Sequence, residues 1–299
     1  MVEIGRLVTA MVTPFDAYGE VDYPQALQLA NSLLESGSDG LVISGTTGES
    51  PTLTKDEKLK LFKDIKSEVG TNGAIIGGTG TYSTAESIEM TREAEKCGID
   101  AALLVVPYYN KPTQEGLYQH FKAIADNTSL PCIVYNVPGR TGTNLSSDTT
   151  IKLSQVENII GVKEASGDLD QIARIISGTD NNFRVWSGND NDTLAIMTMG
   201  GYGIISVASH LVGSQIKNMM NLILGHKTDE AASEHLRMMP IFKGLFIIAN
   251  PIPVKFGLNQ AGFRVGGTRL PLTDPDPKTA EELISMLKEY KIDLPIKVR

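Results

Sequence analysis

The chain has 299 residues, 41% of them hydrophobic and 21% charged, enough to bury one large core or two modest ones. A formal charge of -8 argues against a nucleic-acid or anionic-membrane surface, which needs clustered Lys and Arg. No apolar run approaches the ~18 residues of a membrane span, and MVEIGRLVTAMVTPF lacks the charged start and long apolar stretch of a signal peptide.

Short apolar runs alternate with amphipathic stretches along the chain. The first run, LVTAMVT (7–13), precedes a segment in which Leu27, Leu29, Leu33 and Leu34 form an apolar stripe and Gly37 supplies a stop. GLVISG (40–45) follows, then Thr54-Lys55-Asp56-Glu57, where a hydroxyl and a carboxylate can satisfy the first amides of a helix reciprocally. GAIIGG (73–78) leads to the same signature in Ser83-Thr84-Ala85-Glu86. AALLVVP (101–107), CIVYNVP (132–138), IIGVKEA (159–165), FRVWSG (183–188) and YGIISVA (202–208) complete the set. These runs are too short for core helices, rich in Val and Ile, and close on Gly, Ser, Thr or Pro, as buried parallel strands do. Their starts recur every roughly 20–35 residues, the size of one strand–helix unit.

After residue 210 the pattern is helical, over 210–226, 229–248, 251–262 and 279–291, the last opened by Thr279-Ala280-Glu281-Glu282 as a further capping box. Eight strands with interleaved helices predict a (β/α)8 barrel over residues 1–225 and a C-terminal helical region over 226–299. A doubly wound sheet is the alternative, because periodicity does not reveal strand order.

Several cofactor motifs are set aside. Gly77-Gly78-Thr79-Gly80 follows a strand but lacks the third glycine of a dinucleotide fingerprint, and no GxxxxGK[ST] is present. The four histidines (120, 210, 226, 235) and two cysteines show no metal-ligand spacing. Gly188-Asn189-Asp190-Asn191-Asp192 lacks the glycine and distal Glu of a calcium loop, so helix capping after the seventh strand is expected there. Cys97 and Cys132 are too few for a disulfide framework, and a reducing, cytoplasmic compartment is expected.

The informative residues stand where the apolar runs end, which in a barrel is the catalytic face. Lys163 lies inside IIGVKEA, an apolar strand with one cationic interruption. It reads either as a stem reaching the rim or pairing with Glu164, or as a desolvated amine able to attack a carbonyl. Tyr135 ends the neighbouring strand, a core tyrosine or a proton relay if other groups position it. Gly45-Thr46-Thr47-Gly48-Glu49 combines two hydroxyls with turn amides suited to a small carboxylate. Arg140, after Pro138-Gly139, offers a planar fork for a carboxylate or is a solvated loop residue. Pro107-Tyr108-Tyr109 puts two aromatics at the fourth strand's end, expected to be exposed and to favour burial in a subunit contact.

In combination, GTTGES (45–50), PYYNKPTQEG (107–116), YNVPGRTG (135–142), GVKEASGD (161–168), SGND (187–190) and GIISVAS (203–209) resemble the dihydrodipicolinate synthase family, in that family's order and over essentially the whole chain. The resemblance implies a (β/α)8 barrel that condenses pyruvate with L-aspartate 4-semialdehyde, without metal or organic cofactor. It implies a Schiff base on Lys163 and a proton relay of Tyr135, Thr46 and Tyr109, the last from a neighbouring subunit of a homotetramer. Thr46 and Thr47 match the turn that holds the pyruvate carboxylate, Arg140 the residue that receives the aldehyde's carboxylate, and Gly188 and Ile205 further lining positions. Related sugar-acid aldolases share the Lys and Tyr but as a rule lack the arginine, so Arg140 is the discriminator. Ser50, Pro51, Lys55, Lys58, Tyr82, Glu86 and Tyr108 match an L-lysine effector cleft. Lys55 and Lys58, three apart and so on one helix face, are expected to repel that ligand and leave inhibition weak.

Overall fold

All eight apolar runs form strands of one parallel sheet in the computed structural model, which describes residues 3–296. The strands are β1 Leu7–Ala10, β2 Gly40–Ile43, β3 Ala74–Gly78, β4 Ala101–Val105, β5 Cys132–Asn136, β6 Ile159–Glu164, β7 Arg184–Ser187 and β8 Gly203–Ser206. They pair in sequence order, and β1 pairs β8 through Val8 and Ile205, closing the barrel and removing the doubly wound alternative.

The helices are α1 Tyr23–Glu35, α2 Lys55–Val69, α3 Thr84–Lys96, α4 Gln114–Ala125, α5 Pro138–Thr141, α6 Ser147–Leu153, α7 Leu169–Gly178, α8 Thr193–Thr198, α9 Ser209–Leu224, α10 Thr228–Gly244, α11 Ile252–Gln260 and α12 Pro277–Leu287. Among the described residues, no helix is long and apolar enough to cross a membrane. Thr54 and Glu57 complete their capping box at α2. Ser83 accepts from the Glu86 amide at α3, giving half of the expected reciprocal pair. The box expected at Thr279 is corrected: Asp276 caps α12, accepting from the Lys278 and Thr279 amides, with Pro277 at the first position. Proline at that position costs no hydrogen bond, so the helix starts nearly a turn earlier.

Alternation along the strands divides two cores. Val8, Val42, Ile76, Leu103, Ile133, Tyr135, Trp186 and Ile205 fill the bore, whereas Leu7, Leu41, Ile75, Val134, Val162 and Val185 meet the helices. The N-terminal end of the bore is plugged. Trp186 Nε1 donates to the Gly5 carbonyl at 3.1 Å, and Arg6 and Arg184 lie 4.3 and 4.5 Å from the Tyr202 ring centroid. Access from solvent is therefore left to the strands' C-terminal ends.

Helices α10 to α12 pack beside α9, outside the strand–helix repeat. Pro240 interrupts α10, and the Tyr290 hydroxyl accepts from the Ile241 amide (3.3 Å) while donating to the Arg237 carbonyl (2.8 Å). One phenol thus satisfies two groups that the regular helix would have paired.

Candidate active site

Register brings the two residues singled out on adjacent strands side by side. Tyr135 of β5 pairs Lys163 of β6, which in turn pairs Trp186 of β7, so all three share the bore face. Glu164, one residue on, points to the opposite face and accepts from Asn136 Nδ2 (3.1 Å), Gln171 Nε2 (3.2 Å) and the Ser166 amide (2.8 Å). A Lys163–Glu164 pair is thereby ruled out by strand alternation.

Lys163 is 5% exposed, and its Nζ lies 4.3 Å from the Tyr135 ring centroid. Among the described residues, that amine makes no hydrogen bond or ion pair. Burial pulls its pKa down from the usual lysine range to about 8; the Asp190 carboxylate works against the shift, and the Arg140 charge adds to it. Burial raises the Tyr135 phenol, countered by the Arg140 charge and by a hydrogen bond with Thr46. An amine more easily deprotonated than an ordinary lysine, an aromatic ring beside it and a phenol bonded to a hydroxyl are thus brought together.

A cavity of about 240 Å³ has Thr46, Tyr135, Arg140, Lys58 and Tyr108 in its wall; Lys163 is not in that lining and adjoins it through the Tyr135 ring. Of the expected effector residues, Ser50 and Pro51 also line it, whereas Lys55, Tyr82 and Glu86 do not. Lys55 ion-pairs with Glu89 of α3, which corrects the expectation of two ammonium groups facing the cleft. Lys58 alone reaches the cavity, and burial lowers its pKa. Nor are two adjacent aromatics exposed: Tyr108 packs edge-on to Tyr82 at 5.2 Å, and only Tyr109, at 92%, stands in solvent. Tyr109 has a φ of +71° and lies outside its own chain's cavity lining.

Thr47 is buried and accepts from Asn250 Nδ2 at 2.9 Å, and Arg140 Nη2 donates to the Asn250 carbonyl at 3.2 Å. Gly188 donates to the Glu164 carbonyl at 2.7 Å, and a Cβ there would come within 2.6 Å of the Ala165 Cβ, so only glycine fits. Ile205 is fully buried in the bore beside Val8.

Four supporting residues escaped the sequence reading. Asp190, expected to cap a helix after β7, accepts from Ser206 Oγ (2.5 Å) and from the Val207 (3.2 Å) and Ala208 (3.3 Å) amides, tying β7 to the turn after β8. It is also the carboxylate whose charge acts on Lys163. Its position at a strand's C-terminal end was the available signal. Lys255 of α11 ion-pairs with Glu49 at 2.9 Å and donates to the Thr13 carbonyl at 2.9 Å, with both charged side chains buried. Arg269 adds its amide to Glu49 Oε2 (2.9 Å) and its guanidinium to Glu57 (2.5 Å). These bonds hold the 45–50 turn, where Ser44 and Glu49 have φ of +57° and +56°. Such strain costs on the order of 1–3 kcal/mol per residue and persists only where the surroundings impose it. Asn250 is the fourth, and nothing local in the sequence links it to Thr47.

The model of the dihydrodipicolinate synthetase family matches residues 3–290. The chain belongs to that family. A relative from Dehalococcoides mccartyi (strain ATCC BAA-2266 / KCTC 15142 / 195), named 4-hydroxy-tetrahydrodipicolinate synthase, is 60% identical over 99% of this chain and 100% of its own. The solved dihydrodipicolinate synthase of Bacillus anthracis superposes with a TM-score of 0.95 at 42% identity, covering 97% of this chain and 100% of that one. A structure from Cyanidioschyzon merolae, with lysine bound, gives 0.94 at 47% identity over 96% and 98%. Membership of the dihydrodipicolinate synthetase family accounts for the barrel and the extra C-terminal helices together.

Proposed function

We propose that this chain condenses pyruvate with L-aspartate 4-semialdehyde to give 4-hydroxy-tetrahydrodipicolinate, on the route to diaminopimelate and lysine, with Lys163 as the covalent centre. The observation that carries the reading is a buried amine with no hydrogen-bonding partner among the described residues, its pKa drawn to about 8, packed against the ring of Tyr135, which with Thr46 and Arg140 walls the cavity.

Free Lys163 Nζ attacks the ketone carbon of pyruvate, and loss of water leaves an iminium. That cation draws electrons from the neighbouring methyl, which gives up a proton and becomes an enamine. The enamine carbon attacks the aldehyde of the second substrate. The substrate's own amine then adds to the imine carbon, releases Lys163 and closes the ring. Tyr135, polarised through Thr46, is placed to carry protons at these steps. Thr46 and Thr47 receive the pyruvate carboxylate, with Gly188 and Ile205 lining the same end. Arg140 receives the aldehyde's carboxylate as a charge-assisted fork.

Tyr109 completes the relay of a neighbouring subunit in a homotetramer built from tight dimers. Its near-complete exposure and left-handed backbone support that role. Both thiols are free, in keeping with a cytoplasmic enzyme. The test is turnover of pyruvate with aspartate semialdehyde, set against cleavage of N-acetylneuraminate and keto-deoxy-gluconate. Robust turnover of the semialdehyde alone is expected, and efficient use of a sugar acid instead would overturn the assignment.

A further inference from the structure

Asn250 lies between α10 and α11, far in sequence from the barrel strands, and is 5% exposed. It touches both groups read here as carboxylate receivers. Its Nδ2 donates to Thr47 Oγ1 at 2.9 Å, and its backbone carbonyl accepts from Arg140 Nη2 at 3.2 Å. Its Oδ1 is buried and finds no hydrogen-bond partner among the described residues. The oxygen therefore does not orient this amide; the contact with Thr47 does.

A hydroxyl has one proton to donate and two lone pairs to accept with. On Thr47, one lone pair is taken by Asn250, and among the described residues no acceptor holds the proton. We propose that Asn250 is a positioning residue, which sets the Thr47 hydroxyl as a donor toward the pyruvate carboxylate and indexes Arg140 from the same backbone. The C-terminal region would thereby set substrate affinity without touching substrate. This rests on the reading of Thr47 as a pyruvate contact.

The polarity of the contact makes the inference testable. Asn250→Ala removes the donor but leaves Thr47 its proton, so pyruvate KM should rise several-fold with kcat nearly unchanged. Asn250→Asp presents a carboxylate that captures the Thr47 proton and sets a negative charge beside that of pyruvate. Its pyruvate KM should exceed wild type by a hundredfold or more near pH 8. The ratio of the two KM values should shrink as pH falls and the new carboxyl protonates. Thr47→Val should raise pyruvate KM by itself, and adding Asn250→Ala to it should change KM no further, because the asparagine acts through that hydroxyl.

Multiplying effects in the double variant would mean a merely structural asparagine and would overturn the proposal. So would a wild-type pyruvate KM in Asn250→Asp while Thr47→Val is impaired. An unchanged KM in Thr47→Val would instead remove the underlying reading of Thr47, and this inference with it. Should Asn250→Asp fail to fold, the Ala, Val and double variants decide alone, with borohydride trapping at saturating pyruvate reporting an intact Lys163 pocket.

Discussion

Two lysines are buried in this chain almost equally, Lys163 in the barrel at 5% exposure and Lys255 in the C-terminal helices at 2%. Each lies over an aromatic ring, 4.3 Å from Tyr135 and 4.1 Å from Phe15 respectively. Burial lowers both pKa values. Their difference is in partners. Lys255 donates hydrogen bonds to Glu49 and to the Thr13 carbonyl, both at 2.9 Å, which favour its charged form. Lys163 has no such acceptor among the described residues, and the compensating charge is that of Asp190, acting without a hydrogen bond. Burial alone does not make a nucleophile. Burial that withholds an acceptor does, because the charged form is then penalised and the free amine is reached at a lower pH.

The sharpest way to separate the two is deletion. Lys163→Ala should lower turnover by several orders of magnitude and abolish imine trapping, since the covalent route is gone. Lys163→Arg should fail alike, a guanidinium being protonated at any working pH. Lys255→Ala should act on the fold instead, leaving Glu49 an unpaired buried charge at a cost of about 3–5 kcal/mol by denaturant titration. Replacing both partners, Lys255→Met with Glu49→Gln, should recover much of that loss. Imine formation per folded molecule should survive in either variant.

Arg140→Ala sharpens the contrast at the cavity. Efficiency with aspartate semialdehyde should fall roughly tenfold to a hundredfold, on the order of 1.5–3 kcal/mol, with pyruvate trapping intact. Collapse of trapping as well would make Arg140 structural. The pH profile comes next in size. Because the folded pKa of Lys163 is lowered to about 8, the free amine grows as pH rises and saturates above that value. The trapping rate should climb about tenfold between pH 7 and its plateau, whereas an ordinary lysine would keep gaining beyond pH 10. The smallest effect concerns L-lysine. With Lys55 turned to Glu89, Lys58 alone opposes a ligand that carries two ammonium groups and one carboxylate, and millimolar rather than sub-millimolar inhibition is expected, stronger at high salt. Sub-millimolar inhibition at low salt would remove the repulsion.

The barrel was legible because strands buried on both faces read as unbroken apolar runs. Lys163 was legible for the same reason, as the cation that interrupts one. What escaped was set by contacts across the chain. Asp190 reads locally as a helix cap, yet its donors belong to the turn after β8. Lys255 and Asn250 reach the 45–50 turn across some two hundred residues. Lys55 and Lys58 have helical spacing for one face, but Glu89 on the next helix draws one of them aside. Periodicity reports which face a residue shares, and partners decide where its charge goes.

One measurement addresses the contrast between the two lysines most directly. The native protein is incubated with pyruvate and reduced with borohydride, and the modified peptides are mapped by mass spectrometry. A single adduct per chain on Lys163, with Lys255 and Lys58 unmodified, is the predicted result. An adduct on Lys255, or one spread over several lysines with Lys163 spared, would contradict the claim that a buried amine without an acceptor is the nucleophile.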